Sequence, residues 1–339
     1  MPLLEITQQI KELHGCRPNS IPEDVLNSSE PQVLRGLVAD WPLVAAANKS
    51  AEQAIEYIGQ FDSGHLLTAF KGEPEIEGRV FYNSDYSGFN FETLRLTLGE
   101  VFDSLNKQAI GEQAPMLYVG STMIDRWLPG FREQNDLGLA EQSPIVSIWM
   151  GNRSRIAAHY DFPTNIACCV AGRRRFTLFP PDQLDNLYVG PLDFTPAGQP
   201  ISLVDFSKPD YAQFPRFRQA LESAQVAELG PGDALLIPSM WWHHVEALED
   251  FNVLVNYWWR NTPAYMGPPL NALQHAIMSL RDLPAEQRAA WRQIFDHYVF
   301  DQNEQTIEHI PEHIRGVLDR MDEESARTIR ILLLNKLKQ

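Results

Sequence analysis

The residues best suited to chemistry are His159 and Asp161, which stand two positions apart in the segment AHYDF. Residues i and i+2 of a β-strand point to the same face, so this spacing places an imidazole and a carboxylate side by side. A further histidine, His243, lies in the segment WWHHVEAL. Two histidines and one carboxylate on one face of a metal form the facial triad of non-haem Fe(II) oxygenases, which leaves positions open for a co-substrate and O₂. A zinc site with three ligands and a water is the second choice.

The choice between His243 and His244 depends on what precedes them. A lone His-x-Asp pair also occurs on strands that bind no metal ion, so the assignment of a metal site depends largely on the second histidine. The segment PGDALLIPSMWWHH runs through a turn and an apolar stretch to Pro238, and His243 lies five positions beyond it. Gly232, Pro238 and His243 resemble the second cupin motif, which selects His243 as the ligand. Neighbours on an extended strand face opposite sides, so His244 is expected to point away from it.

These candidates lie in a region of short β-rich segments, between about residues 115 and 260. Turn sequences such as PGD and PPD separate the segments, and many short strands at regular spacing predict a barrel or a sandwich. The segments are MLYVGST, IVSIWMG, NIACCVAG, RRFTLFP, ALLIP, HHVEAL and FNVLVNYWW. A long insertion at 182–222 interrupts them, and insertions of that length are usually functional loops or lids.

The flanking regions carry both helix and strand patterns. At the N-terminal side we expect amphipathic helices at residues 1–15, 50–61 and 91–107 and a short apolar strand within 30–44. Ser50 is the expected N-cap of the second helix. At the C-terminal side, helical periodicity predicts a small bundle formed by residues 271–283, 284–300, 310–321 and 322–337.

Composition limits the function classes. The chain has 339 residues, 44% apolar and 21% charged, and a net charge of −16. A chain so acidic is a poor general binder of nucleic acid, because phosphates repel it. Its three cysteines, Cys16, Cys168 and Cys169, form no disulfide framework and fit a reducing compartment. No signal-peptide core or membrane-spanning apolar run is present, so we expect a cytoplasmic protein without membrane contact.

Several motifs in order resemble one family. The segments around AHYDF, AGRRRFTLFPPDQLDNLY, LVDFSKPDYAQFPRF and PGDALLIPSMWWHH are similar to JmjC-type cupin Fe(II)/2-oxoglutarate oxygenases, particularly to the asparaginyl hydroxylases among them. The similarity covers roughly residues 115–260, with a weaker match at EPQVLRGLVADWP. It implies a mainly β double-stranded β-helix, the cupin or jelly-roll barrel, with N-terminal α/β elements and a C-terminal helical bundle.

The resemblance also implies a role for several residues. The metal ligands fall on His159, Asp161 and His243, with Fe(II) as the metal and with 2-oxoglutarate and O₂ as co-substrates. The family's 2-oxoglutarate lysine falls on Arg174, and arginine suits a carboxylate because its fork can bind both oxygens. Arg173 and Arg175 are expected to face away from Arg174, although the choice depends on the strand register. Further residues implied at the co-substrate site are Tyr118, Asn165, Asn256 and Trp258. For Tyr118 and Trp258, an ordinary place in the core is the alternative.

Other positions depart from the family pattern. A threonine that helps to bind 2-oxoglutarate is replaced by Ile156. A peptide-contacting glutamine aligns with Gly120, and an arginine-glutamine pair of the substrate loop aligns with Pro200 and Ile201. The peptide-recognition residues therefore do not carry over, and neither does the asparagine target.

Three readings of function remain open. The first is a hydroxylase acting on a protein or peptide side chain, and the second is the same chemistry on a small molecule or RNA. The third is a metal-binding cupin used as a sensor or structural module without turnover. We expect the substrate wall at 81–91 and in the 182–222 insertion. The predicted division is an N-terminal part at 1–110, the barrel at 111–265 and a helical region at 266–339, through which related oxygenases pair as homodimers.

Overall fold

The computed structural model describes residue 4 and residues 6–107, 114–196 and 198–338. It contains two compact units, Met1–Asn261 and Thr262–Gln339. All the predicted site residues lie in the first unit. The boundary expected near residue 110 falls outside the described residues.

The first unit is built on two β-sheets. The nine-stranded sheet has the order β2-β3-β13-β10-β15-β8-β7-β4-β6, and the six-stranded sheet has the order β1-β12-β11-β14-β9-β5. The strands in chain order are β1 Gln8–Gln9, β2 Lys11–His14, β3 Gln32–Arg35, β4 Leu67–Gly72, β5 Arg79–Val80, β6 Glu92–Leu96, β7 Met116–Met123, β8 Ile145–Gly151, β9 Ser154–Tyr160, β10 Thr164–Ala171, β11 Arg174–Phe179, β12 Gln225–Leu229, β13 Ala234–Ile237, β14 Trp242–Ala247 and β15 Asn252–Trp259. The expected jelly-roll fold with added helices is confirmed.

Alternation along the strands divides the apolar side chains between two environments. One set fills the space between the two sheets and includes Ala167, Phe176, Val245 and Leu254 from four different strands. The intervening residues of β10 and β15, such as Ile166 and Val255, pack on the outer side of the nine-stranded sheet. Successive side chains of a strand point to opposite faces, so this alternation decides which of them reach the barrel interior. Strands buried on both faces are accordingly apolar at nearly every position.

Helices of the first unit pack outside the barrel. Their bounds are α1 Glu23–Leu26, α2 Pro42–Ala47, α3 Ala51–Gly59, α4 Leu98–Lys107, α5 Ile124–Trp127 and α6 Phe217–Ser223. The predicted N-cap is confirmed, because the Ser50 hydroxyl accepts a hydrogen bond from the Gln53 amide at 3.2 Å. The predicted strand within 30–44 is also confirmed as β3.

Two of the predicted N-terminal helices are wrong in whole or in part. In place of a helix over residues 1–15, the described residues form β1 and β2, which pair in parallel with β12 and β3. Sheet pairing satisfies their backbone groups and overrides the helical periodicity. The helix expected at 91–107 begins only at Leu98, after β6. Thr97 and Glu100 bond each other's backbone amides there as a capping box, which sets the helix start.

The second unit is helical. Its helices are α7 Pro269–Leu280, α8 Ala285–Phe295, α9 Glu304–Ile307 and α10 Glu323–Leu337, and a π-helical turn at Asp296–Phe300 extends α8. The helix expected at 310–321 is wrong: the chain makes two 3-10 turns there, Glu312–Ile314 and Gly316–Leu318. Gly316 has a φ of +56°, which interrupts an α-helix. Across the described residues, no helix combines the length and apolar character needed to cross a bilayer.

Candidate metal and co-substrate site

The three predicted metal ligands come together where β9 and β14 pair. His159 lies directly opposite His243 in this antiparallel pair, and their ring centroids are 4.3 Å apart. Asp161 follows the end of β9, and its Oδ2 lies 3.7 Å from His243 Nε2. One ligand atom from each residue lies within 4.8 Å of the other two. The structure therefore gathers two imidazoles and one carboxylate around a single point.

Hydrogen bonds to the backbone fix the orientation of both imidazoles. His159 Nδ1 donates to the Ala157 carbonyl at 2.9 Å, and His243 Nδ1 donates to the Trp241 carbonyl at 3.0 Å. A carbonyl oxygen can only accept, so Nδ1 carries a proton in both rings, and the neutral form of each ring has its lone pair on Nε2. Such second partners set the tautomer of metal-binding histidines. Both rings are thus prepared to offer Nε2 to a metal ion.

Burial keeps one of these rings neutral. Only 3% of His243 is exposed. Loss of solvation lowers the pKa of His243 to about 4, and the neighbouring His159 acts in the same direction. A neutral imidazole is the form that binds a metal ion, so no proton has to be displaced from His243 at neutral pH.

A β-bulge in β9 determines which way His159 points. His243 pairs with His159 and Val245 with Ile156, so three steps along β9 correspond to two along β14. The extra residue reverses the alternation, because Ile156 packs in the barrel interior although it is three positions before His159. Bulges re-aim side chains in this way next to functional sites. The family threonine that Ile156 replaces would therefore face the same interior as the ligand.

His244 occupies the opposite face, as predicted. Its ring stacks on Phe206 with centroids 4.6 Å apart, and burial lowers its pKa to about 3. The two tryptophans divide in the same way. Trp241 belongs to the interior cluster with Phe176, and Trp242 packs outside with Phe206.

Arg174 is a buried cation that has no partner among the residues the structure describes. It is 2% exposed, and burial lowers its pKa. Its Nε has no hydrogen-bond acceptor, and among the described residues no carboxylate forms an ion pair with it. An arginine remains protonated in proteins, and an unpaired buried charge is costly. An anion bound inside the barrel would therefore stabilise the Arg174 side chain.

The neighbouring arginines behave differently, as predicted. Arg173 Nε donates to Glu249 at 2.7 Å, and Arg175 Nε donates to Glu228 at 2.9 Å. Both ion pairs lie on the outer face of β11, because residues on either side of Arg174 alternate away from the interior. The structure thus separates one interior arginine from two surface ones.

Tyr118 lies close to Arg174 in the same interior. It is 6% exposed, and burial raises its pKa. The guanidinium of Arg174 opposes this shift, while the Asp161 carboxylate adds to it, so the phenol lies within electrostatic range of both. Tyr118 therefore lies near both the ligand cluster and the unpaired cation.

Asn165, Asn256 and Trp258 also face the interior. Asn256 Nδ2 donates to Asn165 Oδ1 at 2.8 Å, and Asn256 Oδ1 is buried without a partner. The indole Nε1 of Trp258 is likewise buried and unpaired, as is that of Trp149, which meets Trp258 edge to face at 5.7 Å. Unpaired polar atoms are uncommon in a closed core. Together with Arg174 Nε they give the barrel interior a set of unpaired polar atoms that suits a small, oxygen-rich molecule.

Two further aromatic residues beside Tyr118 were not predicted from the sequence. The ring centroid of Trp149 lies 6.0 Å from that of Tyr118, and the ring centroid of Phe70 lies 6.2 Å from it on the other side. The alternation in IVSIWMG gives a clue to Trp149, because it places that residue on the face opposite to Ile148 and Met150. No local pattern identifies Phe70.

Segments 81–91 and 182–222, the expected substrate wall, meet each other. Phe194 of the insertion stacks on Phe89 at 4.9 Å, and its carbonyl accepts a hydrogen bond from Tyr82. Phe89 in turn stacks on Phe91 at 5.4 Å, and Phe91 contacts Phe70. A row of aromatic rings therefore runs from the exposed Phe194 inward to the rings around Tyr118.

A comparison with protein families matches this barrel directly. The model of the family described as "Cupin-like domain" matches residues 18–265. The chain belongs to the cupin-like family. Its JmjC-type relatives are typically Fe(II)- and 2-oxoglutarate-dependent oxygenases.

Individual relatives of this cupin-like chain carry different names. Lysine-specific demethylase 8 of Xenopus tropicalis is 26% identical over 76% of this chain and 54% of its own length. HSPB1-associated protein 1 of Homo sapiens is 32% identical over 71% of this chain and 50% of its own. The tRNA wybutosine-synthesizing protein 5 of Gallus gallus is 29% identical over 83% of this chain and 91% of its own. The chain thus spans about half the length of the first two relatives.

Proposed function

We propose that this cupin-like chain is an Fe(II)- and 2-oxoglutarate-dependent dioxygenase that hydroxylates a side chain of a protein or peptide. The observation that carries the proposal is the ligand cluster of His159, Asp161 and His243 on the same interior as the unpaired, buried Arg174. A buried arginine without a carboxylate partner is unexpected in a module that binds a metal ion alone.

The donor set fits Fe(II). Two imidazole nitrogens and one carboxylate would hold one face of the metal and would leave positions for O₂ and the co-substrate, whereas zinc sites favour a closed tetrahedral set. When bound, the iron supplies the activation of O₂ that couples decarboxylation of 2-oxoglutarate, to succinate and CO₂, with oxidation of the prime substrate.

The residues of the chain position the reactants and exclude water. Arg174 pairs with the far carboxylate of 2-oxoglutarate through its fork, and the Tyr118 hydroxyl donates to the same group. Asn165 and Asn256 orient the co-substrate by hydrogen bonds, and Trp258 forms one wall of its cavity. Because the cavity is lined by aromatic rings, these polar contacts operate with little competition from water.

RNA is the second candidate substrate. It is supported by the match to the chicken tRNA wybutosine-synthesizing protein 5, which extends over 91% of that protein's length. The net charge of −16 favours a protein or peptide instead, because an RNA backbone would be repelled. A small-molecule substrate is a third outcome of the same chemistry.

Uncoupled turnover tests the proposed activity without knowledge of the substrate. Purified protein supplied with Fe(II), ascorbate and 2-oxoglutarate is expected to release succinate slowly, and His159→Ala is expected to release none. If the wild-type protein neither forms succinate nor binds 2-oxoglutarate in a titration, the catalytic proposal is wrong. If succinate is formed, mass spectrometry of a lysate treated with active protein identifies the substrate as a product heavier by 16 Da that is absent from the His159→Ala control.

A further inference from the structure

The insertion at 182–222 is attached to β9, the strand that carries the proposed ligand His159. Ile201 forms an antiparallel bridge with His159 itself, and the Ser202 amide donates to the Ala158 carbonyl at 2.7 Å. On its other edge, β9 pairs with β14. His159 is therefore held between a sheet strand and the insertion.

Ser202 also fastens the insertion to itself. Its hydroxyl donates to the Leu187 carbonyl at 2.6 Å and accepts from the Val204 amide at 3.2 Å. Val189 pairs with Ser202 in a second bridge, and Gly190 donates its amide to the Ile201 carbonyl at 2.9 Å. Ser202 has no exposed surface. One small residue thus joins β9 to both limbs of the insertion.

The contact falls on the bulge that aims His159. The bulge lies at Ala157 and Ala158, and its two carbonyls have separate uses. That of Ala157 accepts the Nδ1 proton of His159, and that of Ala158 accepts the Ser202 amide. A shift of one residue in this strand would turn the imidazole to the other face, because side chains alternate. Contacts that hold the bulge in register therefore also hold the His159 imidazole in its orientation.

We propose that Ser202 is a positioning residue for the metal centre, and that the insertion acts as a brace that holds the β9 bulge in register. The proposal rests on the assignment of His159, Asp161 and His243 as metal ligands. It gives the insertion a role beyond that of a substrate wall. Ser202 contacts no ligand atom and acts only through Ala158 and the neighbouring strand segments.

Metal affinity tests this role without turnover. Co(II) is titrated into the full chain without oxygen, and its visible d–d absorption reports both affinity and ligand geometry. Ser202→Ala keeps the amide that bonds Ala158 but removes both hydroxyl hydrogen bonds that hold the two limbs of the insertion together. Because each such bond contributes about 1 kcal/mol, we expect Co(II) binding to weaken by up to about tenfold, with an altered spectrum. Ser202→Cys keeps a weak donor of similar size and is expected to fall between wild type and Ser202→Ala.

Ser50→Ala is the matched control. It removes a hydroxyl that caps α3, a helix outside the barrel, and lowers stability without contact to β9. We expect it to leave Co(II) affinity and spectrum unchanged. Equal affinity and spectrum in wild type and both Ser202 variants would overturn the positioning role alone. A wild-type protein that binds no metal ion at this cluster would overturn the proposed function as well. If Ser202→Ala does not fold, Ser202→Cys with an unchanged affinity and spectrum also overturns the positioning role.

Discussion

His159 and His243 face each other across two antiparallel strands, with their ring centroids 4.3 Å apart and each Nδ1 bonded to the carbonyl two residues before it. Both Nε2 lone pairs are therefore free for one metal ion, with Asp161 beside them. This relationship joins residues that are far apart in the chain. It depends on the bulge in β9, without which His159 would lie on the other face.

Adjacent histidines provide a test of the ligand assignment. His243→Ala removes an interior ligand and is expected to abolish Fe(II) or Co(II) binding in a calorimetric titration. His244→Ala changes the same residue type one position away, on the face that stacks against Phe206. We expect it to bind metal with nearly unchanged affinity, although it is less stable. Metal binding that survives His243→Ala and is lost in His244→Ala would exclude the assignment.

Arg174 is predicted to anchor the far carboxylate of 2-oxoglutarate. Hydrogen bonds to charged groups contribute about 1.5–3 kcal/mol, so Arg174→Gln is expected to weaken 2-oxoglutarate binding by about 10- to 100-fold. Metal affinity should change little. Arg175→Gln is the matched control, because Arg175 is paired with Glu228 on the outer face. A larger effect from Arg175→Gln would move the anchor to a different arginine.

His244 is predicted to make the fold sensitive to acid. Its pKa is about 3 in the folded protein and 6.5 in an unfolded chain, so the unfolded state binds more protons in the interval between these values. The contribution of neutral His244 to the free energy of unfolding is therefore fully present above pH 6.5. It falls by up to about 1.4 kcal/mol per pH unit below that value, until pH approaches 3.

Unfolding by urea at several pH values measures this contribution. His244→Leu should lose less stability than wild type between pH 6.5 and 4.5. His14→Asn replaces a highly exposed histidine and should follow the wild-type curve. Parallel curves for wild type and His244→Leu would show that His244 is not buried as a neutral ring.

The helix α10 is predicted to form a homodimer contact. Ile331, Leu332, Leu333 and Leu334 are consecutive and each is more than 40% exposed, so apolar side chains surround one turn of this helix. A contiguous exposed apolar patch of this kind is typical of a protein–protein contact. We expect a dimer in light scattering at micromolar concentration and a monomer for Leu333→Glu, with Lys336→Glu as a control that keeps the apolar surface. A wild-type monomer would contradict the prediction.

Much of the candidate site could be predicted from short-range patterns. The i, i+2 spacing of His159 and Asp161 and the frame from Gly232 through Pro238 to His243 are local, and strand alternation follows from them. The same alternation places Arg174 on the face opposite to Arg173 and Arg175, whereas the choice of Arg174 as the interior residue came from the resemblance to the family, as did Tyr118, Asn165, Asn256 and Trp258. Such features depend on the geometry of one strand, which the sequence specifies directly.

Features that depend on distant pairing were not predictable in this way. The bulge at Ala157 and Ala158 has no local marker, because its register depends on β14 and on Ser202, far along the chain. The strands β1 and β2 were mistaken for a helix, since their pairing partners β12 and β3 decide their conformation. The site residue Phe70 was missed for the same reason.

The most direct test of the metal and co-substrate site is a crystal structure of the protein soaked with Fe(II) and 2-oxoglutarate without oxygen, recorded with anomalous scattering at the iron edge. We expect one iron peak bonded to His159 Nε2, His243 Nε2 and the Asp161 carboxylate, with the far carboxylate of 2-oxoglutarate paired with Arg174. An iron peak away from these three residues, or 2-oxoglutarate bound elsewhere than at Arg174, would contradict it.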